Sequence, residues 1–268
     1  MDDIWEVYAV KYGDHLSRTR RENFIFADDH DGPNPMDYFV WVLKNGTQTI
    51  IVDTGFDEAE AKRRNRPIAR DPALAIASTG ANAETIEHVI VTHLHFDHAG
   101  GLDRYPNAKF HLQAAEMAYA TGPCMCHDTL RQVFTVDHVC EMVKKVYSGR
   151  IQFYDGDGQV ANGVTVHAVG GHSRGLQAVR VKTAAGWMCL ASDASHYYEN
   201  FIKKNPFPIV VDLEQLLDGF DLIQRLASTR DLVIPGHDPL VTQHFPLLEN
   251  SGGFTWRLDK GPIKPFDW

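Results

Sequence analysis

The stretch that decides the fold is Thr92-His93-Leu94-His95-Phe96-Asp97-His98-Ala99-Gly100-Gly101, which holds three imidazoles and a carboxylate within six residues. Side chains alternate along extended backbone, so His93 and His95 are expected to point the same way, while Asp97 and His98 follow on a turn. The spacing predicts two ligand pairs that diverge toward two neighbouring metal ions. Imidazole and carboxylate donors suit Zn²⁺, and also Fe or Mn.

The density of this cluster separates it from ordinary histidines. The chain has 14 histidines, so an isolated pair carries little information about function. Three histidines and an aspartate together are different, because burying each polar group without a partner costs on the order of 1–3 kcal/mol. The cluster therefore favours a metal site over a purely structural role.

The surrounding residues predict a layered α/β protein. Strands are expected at residues 6–11, 37–43, 49–53, 88–91, 151–154, 164–169, 178–182, 187–191 and 232–234, with an Asn45-Gly46 turn between the second and third. Helices are expected at residues 57–66, 114–120, 129–147 and 213–227. Two successive halves, each β and then α, predict two sheets packed face to face with helices outside, in one domain spanning residues 1–268.

Composition limits the possible partners. With 268 residues, of which 44% are hydrophobic, the chain can bury a sizeable core. A net charge of -9 argues against nucleic acid and against an anionic membrane surface, and favours a small-molecule substrate. Neither a signal peptide nor a run of eighteen apolar residues is visible, so a cytoplasmic location with four reduced cysteines is expected.

The motif H-x-H-x-D-H followed by Gly-Gly resembles the signature of the metallo-β-lactamase superfamily. The later motifs of that superfamily follow in order, as Gly171-His172, Asp193 and Gly236-His237, and Asp53-Thr54-Gly55 matches its early Asp-x-Gly turn. The resemblance extends from about residue 38 to about residue 238. It implies a four-layer αββα sandwich, with two mixed β-sheets face to face and helices outside.

The resemblance also implies a ligand set for two metal ions, with zinc expected and Fe or Mn as alternatives. One ion would be held by His93, His95 and His172, a second by Asp97, His98 and His237, and Asp193 would bridge both. A hydroxide shared by the two ions would attack the substrate carbonyl, and Asp97 would pass a proton to the leaving group. The flavodiiron branch has Glu where this chain has His95, which favours hydrolysis over redox chemistry.

Within the superfamily the motifs are most similar to those of the N-acyl-homoserine lactonases, which implies hydrolysis of a lactone or small ester. The chain departs from that branch at His196, where a tyrosine commonly binds the substrate carbonyl. An imidazole N–H can also donate, so His196 is either a catalytic electrophile or a residue of a surface loop. Arg174 either receives a substrate carboxylate or pairs with a surface acid.

Other functions and roles remain open at this point. The same ligands serve a glyoxalase-II-like thioesterase or another amide or cyclic-amide hydrolase, and a non-catalytic metal-binding module is the least favoured alternative. Asp53 either pins the turn or orients a ligand histidine. The Cys124-Met125-Cys126-His127 segment is expected to hold buried thiols and not a third metal. The aromatic N-terminal region is compatible with a homodimer.

Overall fold

The computed structural model of the protein describes residues 3–26, 31–46 and 48–266. Within these ranges, seven strands form the first sheet: β1 (Glu6–His15), β2 (Met36–Lys44), β3 (Thr49–Val52), β4 (His88–Ile90), β5 (Lys109–Gln113), β6 (Ile151–Tyr154) and β12 (Thr255–Arg257). Their order across the sheet is β12-β1-β2-β3-β4-β5-β6. Strands β3 to β6 run parallel and the others antiparallel, so the sheet is mixed.

The same described ranges give a second sheet of five strands: β7 (Gly158–Ala161), β8 (Val164–Ala168), β9 (Gln177–Thr183), β10 (Gly186–Ser192) and β11 (Val233–Pro235). Their order is β11-β10-β9-β8-β7. Only the pairing of β10 with β11 is parallel among these strands, so this sheet is also mixed. Because β10 and β11 are parallel, their carboxyl ends lie at the same edge of this sheet.

Strand β2 shows how the layers form. Its side chains alternate between two cores, because successive residues of a strand point to opposite faces. Phe39, Trp41 and Leu43 pack in the core that includes the second sheet. Tyr38, Val40 and Val42 pack in a separate core on the other face of the first sheet. Both faces of the first sheet are therefore buried, as an inner layer of a sandwich requires.

Helices cover the outer faces of the two sheets. They are α1 (Arg20–Asn23), α2 (Glu58–Arg64), α3 (Pro72–Ala75), α4 (Ala114–Ala120), α5 (Asp128–Arg131), α6 (Val136–Tyr147), α7 (Tyr198–Ile202), α8 (Leu213–Leu226) and α9 (Leu240–His244). Met142 of α6 packs with the first sheet, and Phe220 of α8 packs with the second. The predicted four-layer α/β sandwich is confirmed; the assignment of residues 1–268 to one domain stays a prediction.

Two predicted elements differ from the structure. The expected helix at residues 129–147 is divided into α5 and α6, because the intervening backbone is used in a tertiary contact: Val133 accepts a hydrogen bond from Phe96 N at 2.9 Å. The helix expected at residues 57–66 ends at Arg64, since Asn65 adopts left-handed backbone with φ of 53°. Strands β5, β7 and β12 were not expected from the sequence.

None of the helices within the described ranges is long and apolar enough to cross a membrane.

Candidate metal centre

The loop that carries the histidine motif, residues 92–101, begins just after β4, at the edge of the sheet where the parallel strands end. Asp53, after β3, fixes the start of this loop: its carboxylate accepts hydrogen bonds from Thr92 N at 2.7 Å and from Thr92 Oγ1 at 2.8 Å. Asp53 has left-handed backbone with φ of 61°, a conformation that Asp and Asn adopt more readily than most residues. These hydrogen bonds join the turn after β3 to the loop after β4 just before His93.

The second sheet supplies the remaining residues from three strand ends. His172 follows β8, Asp193 follows β10 and His237 follows β11. Asp193 lies between the other two, with Oδ2 at 3.2 Å from His172 Nε2 and Oδ1 at 3.0 Å from His237 Nε2. Gly236 permits this approach, because a Cβ there would lie 2.6 Å from Asp193 Oδ1. All three side chains are buried.

The structure brings together all seven residues that the sequence predicts as ligands. Among the described residues, four groups of three have ligand atoms within 4.8 Å of one another; one of them joins His196 to His172 and Asp193. Two others are His93 with His95 and His172, and Asp97 with His98 and His237. Asp193 forms a further group with His93 and His98, so its carboxylate is shared between the two sets. This is the division that the resemblance implies.

Four imidazoles are oriented by a partner on the ring nitrogen that faces away from the cluster. His98 Nδ1 lies 2.8 Å from Asp53 Oδ2, and His93 Nδ1 lies 3.1 Å from Thr92 Oγ1. His172 Nδ1 and His237 Nδ1 each lie 2.8 Å from a backbone carbonyl, that of Ile209 and that of Asp37. Oxygen partners of this kind fix the tautomer and direct Nε2 toward a metal.

The electrostatics of the cluster suit a divalent cation. Burial lowers the pKa values of His93 and His95 well below the ordinary value, so these imidazoles are neutral and able to ligate. Burial opposes ionisation of Asp193, but His196, His237 and His98 outweigh it and hold the pKa of Asp193 well below its usual range. The buried Nε2 atoms of His93 and His98 have no hydrogen-bond partner among the described residues, which is the pattern expected of ligand atoms.

Comparison with known proteins agrees with this geometry. A model of the metallo-beta-lactamase superfamily matches residues 33–244. The chain belongs to that superfamily. An N-acyl homoserine lactonase of Bacillus cereus is 27% identical over 217 residues, covering 74% of this chain and 81% of the relative. A Bacillus thuringiensis lactonase is 28% identical over 219 residues, with the same two coverages.

Solved structures of the superfamily share the fold. The crystal structure of a quorum-quenching N-acyl homoserine lactone lactonase has a TM-score of 0.73 at 22% identity and covers 90% of this chain and 95% of its own. A dizinc quorum-quenching lactonase has a TM-score of 0.68 at 16% identity and covers 89% of each chain. These structural matches show the fold alone, and membership of the lactonase-like branch stays a proposal.

His196 marks where this chain departs from that branch. The alternative of a surface loop is wrong, because His196 is only 3% exposed and lines the cavity above the cluster. Its Nε2 lies 3.0 Å from Asp193 Oδ2, and its ring stacks on Phe207 with centroids 3.7 Å apart and planes 7° apart. Burial lowers the pKa of His196 to about 3, so the ring is neutral. His196 thus belongs to the site.

The structure corrects two further expectations, one for Arg174 and one for the thiols of Cys124 and Cys126. Arg174 is exposed, does not line the cavity and has no carboxylate partner within the described ranges; its guanidinium lies 5.7 Å from the centre of the Tyr119 ring. Neither proposed role for Arg174 is therefore observed. Cys126 is exposed and Cys124 partly exposed, so these thiols are not buried, and neither belongs to the metal-ligand groups found among the described residues.

Residues missed by sequence reasoning support and surround the site. Glu116, in the first turn of α4, is fully buried and joins two ligand loops: it accepts hydrogen bonds from Leu94 N at 2.9 Å, Ser173 Oγ at 2.6 Å and Gly175 N at 2.9 Å. A cavity of about 430 Å³ opens above the cluster, lined by Tyr38, Phe96, Phe207 and Ile209 and by Arg18, Arg64 and Arg66. No sequence pattern points to these positions.

Proposed function

We propose that this metal-dependent hydrolase holds two divalent ions, with zinc expected, and opens a lactone or another small ester. The observation that carries the proposal is the shared position of Asp193 between two groups of three ligand atoms. A single structural ion would need four ligands in one group, whereas catalytic sites leave positions for water and substrate. The lactonase names of the relatives supply the substrate class.

When bound, a pair of such ions supplies a water of lowered pKa and a Lewis acid for the carbonyl oxygen. The chain's own residues would do the rest. Asp97 is the most exposed of the seven predicted ligands, at 9%, and lines the cavity. We assign it the transfer of a proton to the leaving alkoxide, because a general acid must reach the departing oxygen from the substrate side.

His196 would stabilise the carbonyl oxygen of the substrate through Nε2–H, in exchange for its contact with Asp193 Oδ2, which lies 3.0 Å away in the structure. Its neutral imidazole can donate where relatives of this branch use a hydroxyl, and stacking on Phe207 holds the ring in one orientation. The cavity of about 430 Å³ suits a small molecule and is walled by aromatic and aliphatic side chains. A cytoplasmic location and a homodimer stay predictions.

A hydrolysis panel of lactones, thioesters, β-lactams and phosphodiesters tests this function. We expect the zinc-loaded protein to turn over lactones fastest, and Asp97→Asn to lose most of that activity. Faster hydrolysis of thioesters or cyclic amides would assign the chain to one of the alternative hydrolases. Lactone hydrolysis that is equal in the wild type and Asp97→Asn would contradict the role given to Asp97.

A further inference from the structure

Guanidinium groups line the mouth of the catalytic cavity in a chain whose net charge is -9. They belong to Arg18, between β1 and α1, and to Arg64 and Arg66, at the end of α2. A negatively charged protein that places arginines at its substrate entrance creates a local potential opposite to that of its surface as a whole. The partners of each arginine decide whether its charge is available to a substrate.

Arg64 is already paired with a carboxylate, which it shares with Arg63. Its Nε donates to the carboxylate of Glu60, and other guanidinium nitrogens donate to Gln132 O at 2.8 Å and to Phe134 O at 3.0 Å. The guanidinium also lies 3.9 Å from the centre of the Phe96 ring. Arg64 therefore forms part of the cavity wall. Because its guanidinium is held by Glu60, it is less available to bind a substrate than an arginine without a carboxylate partner.

Arg18 and Arg66 differ from Arg64 because only neutral acceptors hold them. Arg18 donates to Asn23 Oδ1 at 2.5 Å and to Glu22 O at 2.6 Å, while Arg66 has a single long contact to Asn65 O at 3.5 Å. Among the residues that the structure describes, neither has a carboxylate within ion-pair distance. Both residues are partly buried, and no described carboxylate forms an ion pair with either guanidinium.

The two groups lie on the same side of the cavity. Arg18 stacks over Phe207 at 4.9 Å from the ring centre, and Phe207 in turn stacks on His196. Arg66 follows the left-handed Asn65, which turns the chain at the end of α2 toward the cavity. Both are close enough to His15 that their charges add to burial in lowering its pKa to about 4. The pair thus forms one positive edge.

We propose that the substrate carries an anionic substituent, a carboxylate, which Arg18 and Arg66 bind at the mouth while the ester lies over the metal centre. This inference rests on the proposed function and narrows its substrate class. The planar fork of a guanidinium matches a carboxylate, and paired charges give stronger hydrogen bonds than neutral groups do. An N-acyl homoserine lactone carries no charge and would leave both arginines unpaired.

The first experiment compares a γ-lactone that bears a ring carboxylate with the matching ring carboxamide, using zinc-loaded protein. We expect wild-type kcat/KM to favour the carboxylate by on the order of 10- to 100-fold, and Arg66→Gln to remove most of that preference. The loss should appear mainly in KM, because the contact is made equally in ground and transition states. Rising salt should weaken the preference.

Two further variants separate charge from folding. Arg18→Lys keeps a positive charge but loses the fork, so it should reduce the preference less than Arg18→Gln does. Arg174→Gln removes an exposed arginine that lies outside the cavity and should leave the preference unchanged. An equal preference for the carboxylate in wild type, Arg18→Gln and Arg66→Gln would overturn the inference while leaving the hydrolase intact.

A binding experiment gives a readout that does not depend on turnover. Calorimetry with glutarate and its monoamide, glutaramate, should show tighter binding of the dicarboxylate to wild type, and loss of that difference in Arg18→Gln and Arg66→Gln. If neither lactone is hydrolysed but this difference is found, the proposed function fails and anion recognition stands. If the difference persists in both variants, or is absent from wild type, the arginines do not bind the substituent.

Discussion

At the floor of the catalytic cavity, four imidazoles are oriented by oxygen partners on their outer nitrogens. At the mouth, the hydrogen bonds that Arg18 and Arg66 donate to other described residues go only to neutral acceptors. The imidazoles of the floor are therefore fixed in one orientation before a metal ion binds, as chemistry at a metal requires. The two guanidinium groups at the mouth form no ion pair with a described carboxylate, so they remain available to an anionic ligand. Under the two proposals above, the floor sets the reaction and the mouth selects the substrate.

Asp193→Asn should have the largest effect, because Asp193 joins both ligand groups at the floor. An amide has no charge with which to balance two cations, so the variant should bind fewer than two ions per chain. Activity should fall by more than about 100-fold, the upper range for residues that only orient a ligand. Metal analysis and lactone hydrolysis measure this; two tightly bound ions in the variant would contradict the bridging role.

Asp53→Asn should have the next largest effect. Asn tolerates the positive φ of this position, so the substitution tests the hydrogen bond to His98 and not the backbone. We expect roughly 10- to 100-fold weaker metal binding or activity, because a carboxylate partner fixes the ring and raises its basicity. A zinc titration of the variant checks this. Unchanged affinity would assign Asp53 to the turn alone.

Glu116→Gln should have the third largest effect, because Glu116 joins two of the loops that carry the ligands of the floor. The amide nitrogen of Gln cannot accept the hydrogen bond from Gly175 N or Leu94 N, and one buried donor is left without a partner. We expect a loss of about 1–3 kcal/mol in the free energy of unfolding, with weakened metal binding. Urea denaturation measures the first and metal titration the second. A variant as stable as wild type would show that the two loops hold without Glu116.

Cys126→Ser should have the smallest effect, because Cys126 is exposed and outside both the floor and the mouth. The free energy of unfolding should stay within about 0.5 kcal/mol of wild type, as for other surface substitutions. The number of metal ions per chain should also stay the same. A loss of bound metal in this variant would indicate a further site in the Cys124-Met125-Cys126-His127 segment.

The floor was predictable because its residues follow strands within short motifs. His172, Asp193 and His237 each come shortly after a strand end, and the His93 to His98 run can be noticed without tertiary information. The roles of Asp53 and His196 stayed open in the sequence, since burial and the direction of a ring nitrogen are tertiary properties. The structure places His98 against Asp53 and buries His196 beside Asp193.

The mouth was not predictable, for a physical reason. Arg18 lies in a connection without periodicity, and the direction of Arg66 depends on the left-handed turn at Asn65. Arg174 was considered either for a substrate carboxylate or for a surface acid because it lies close to His172 in sequence, yet it does not line the cavity. The same limit applies to the divided helix at residues 129–147, where a backbone contact between Phe96 and Val133 overrides a helical pattern.

Titration of the metal-free protein with zinc, with lactone hydrolysis followed at each step, tests the central claim most directly. The two ligand groups joined by Asp193 predict that two ions bind per chain and that full activity requires the second equivalent. Full turnover with a single ion per chain, or hydrolysis by the metal-free protein, would contradict the dinuclear account.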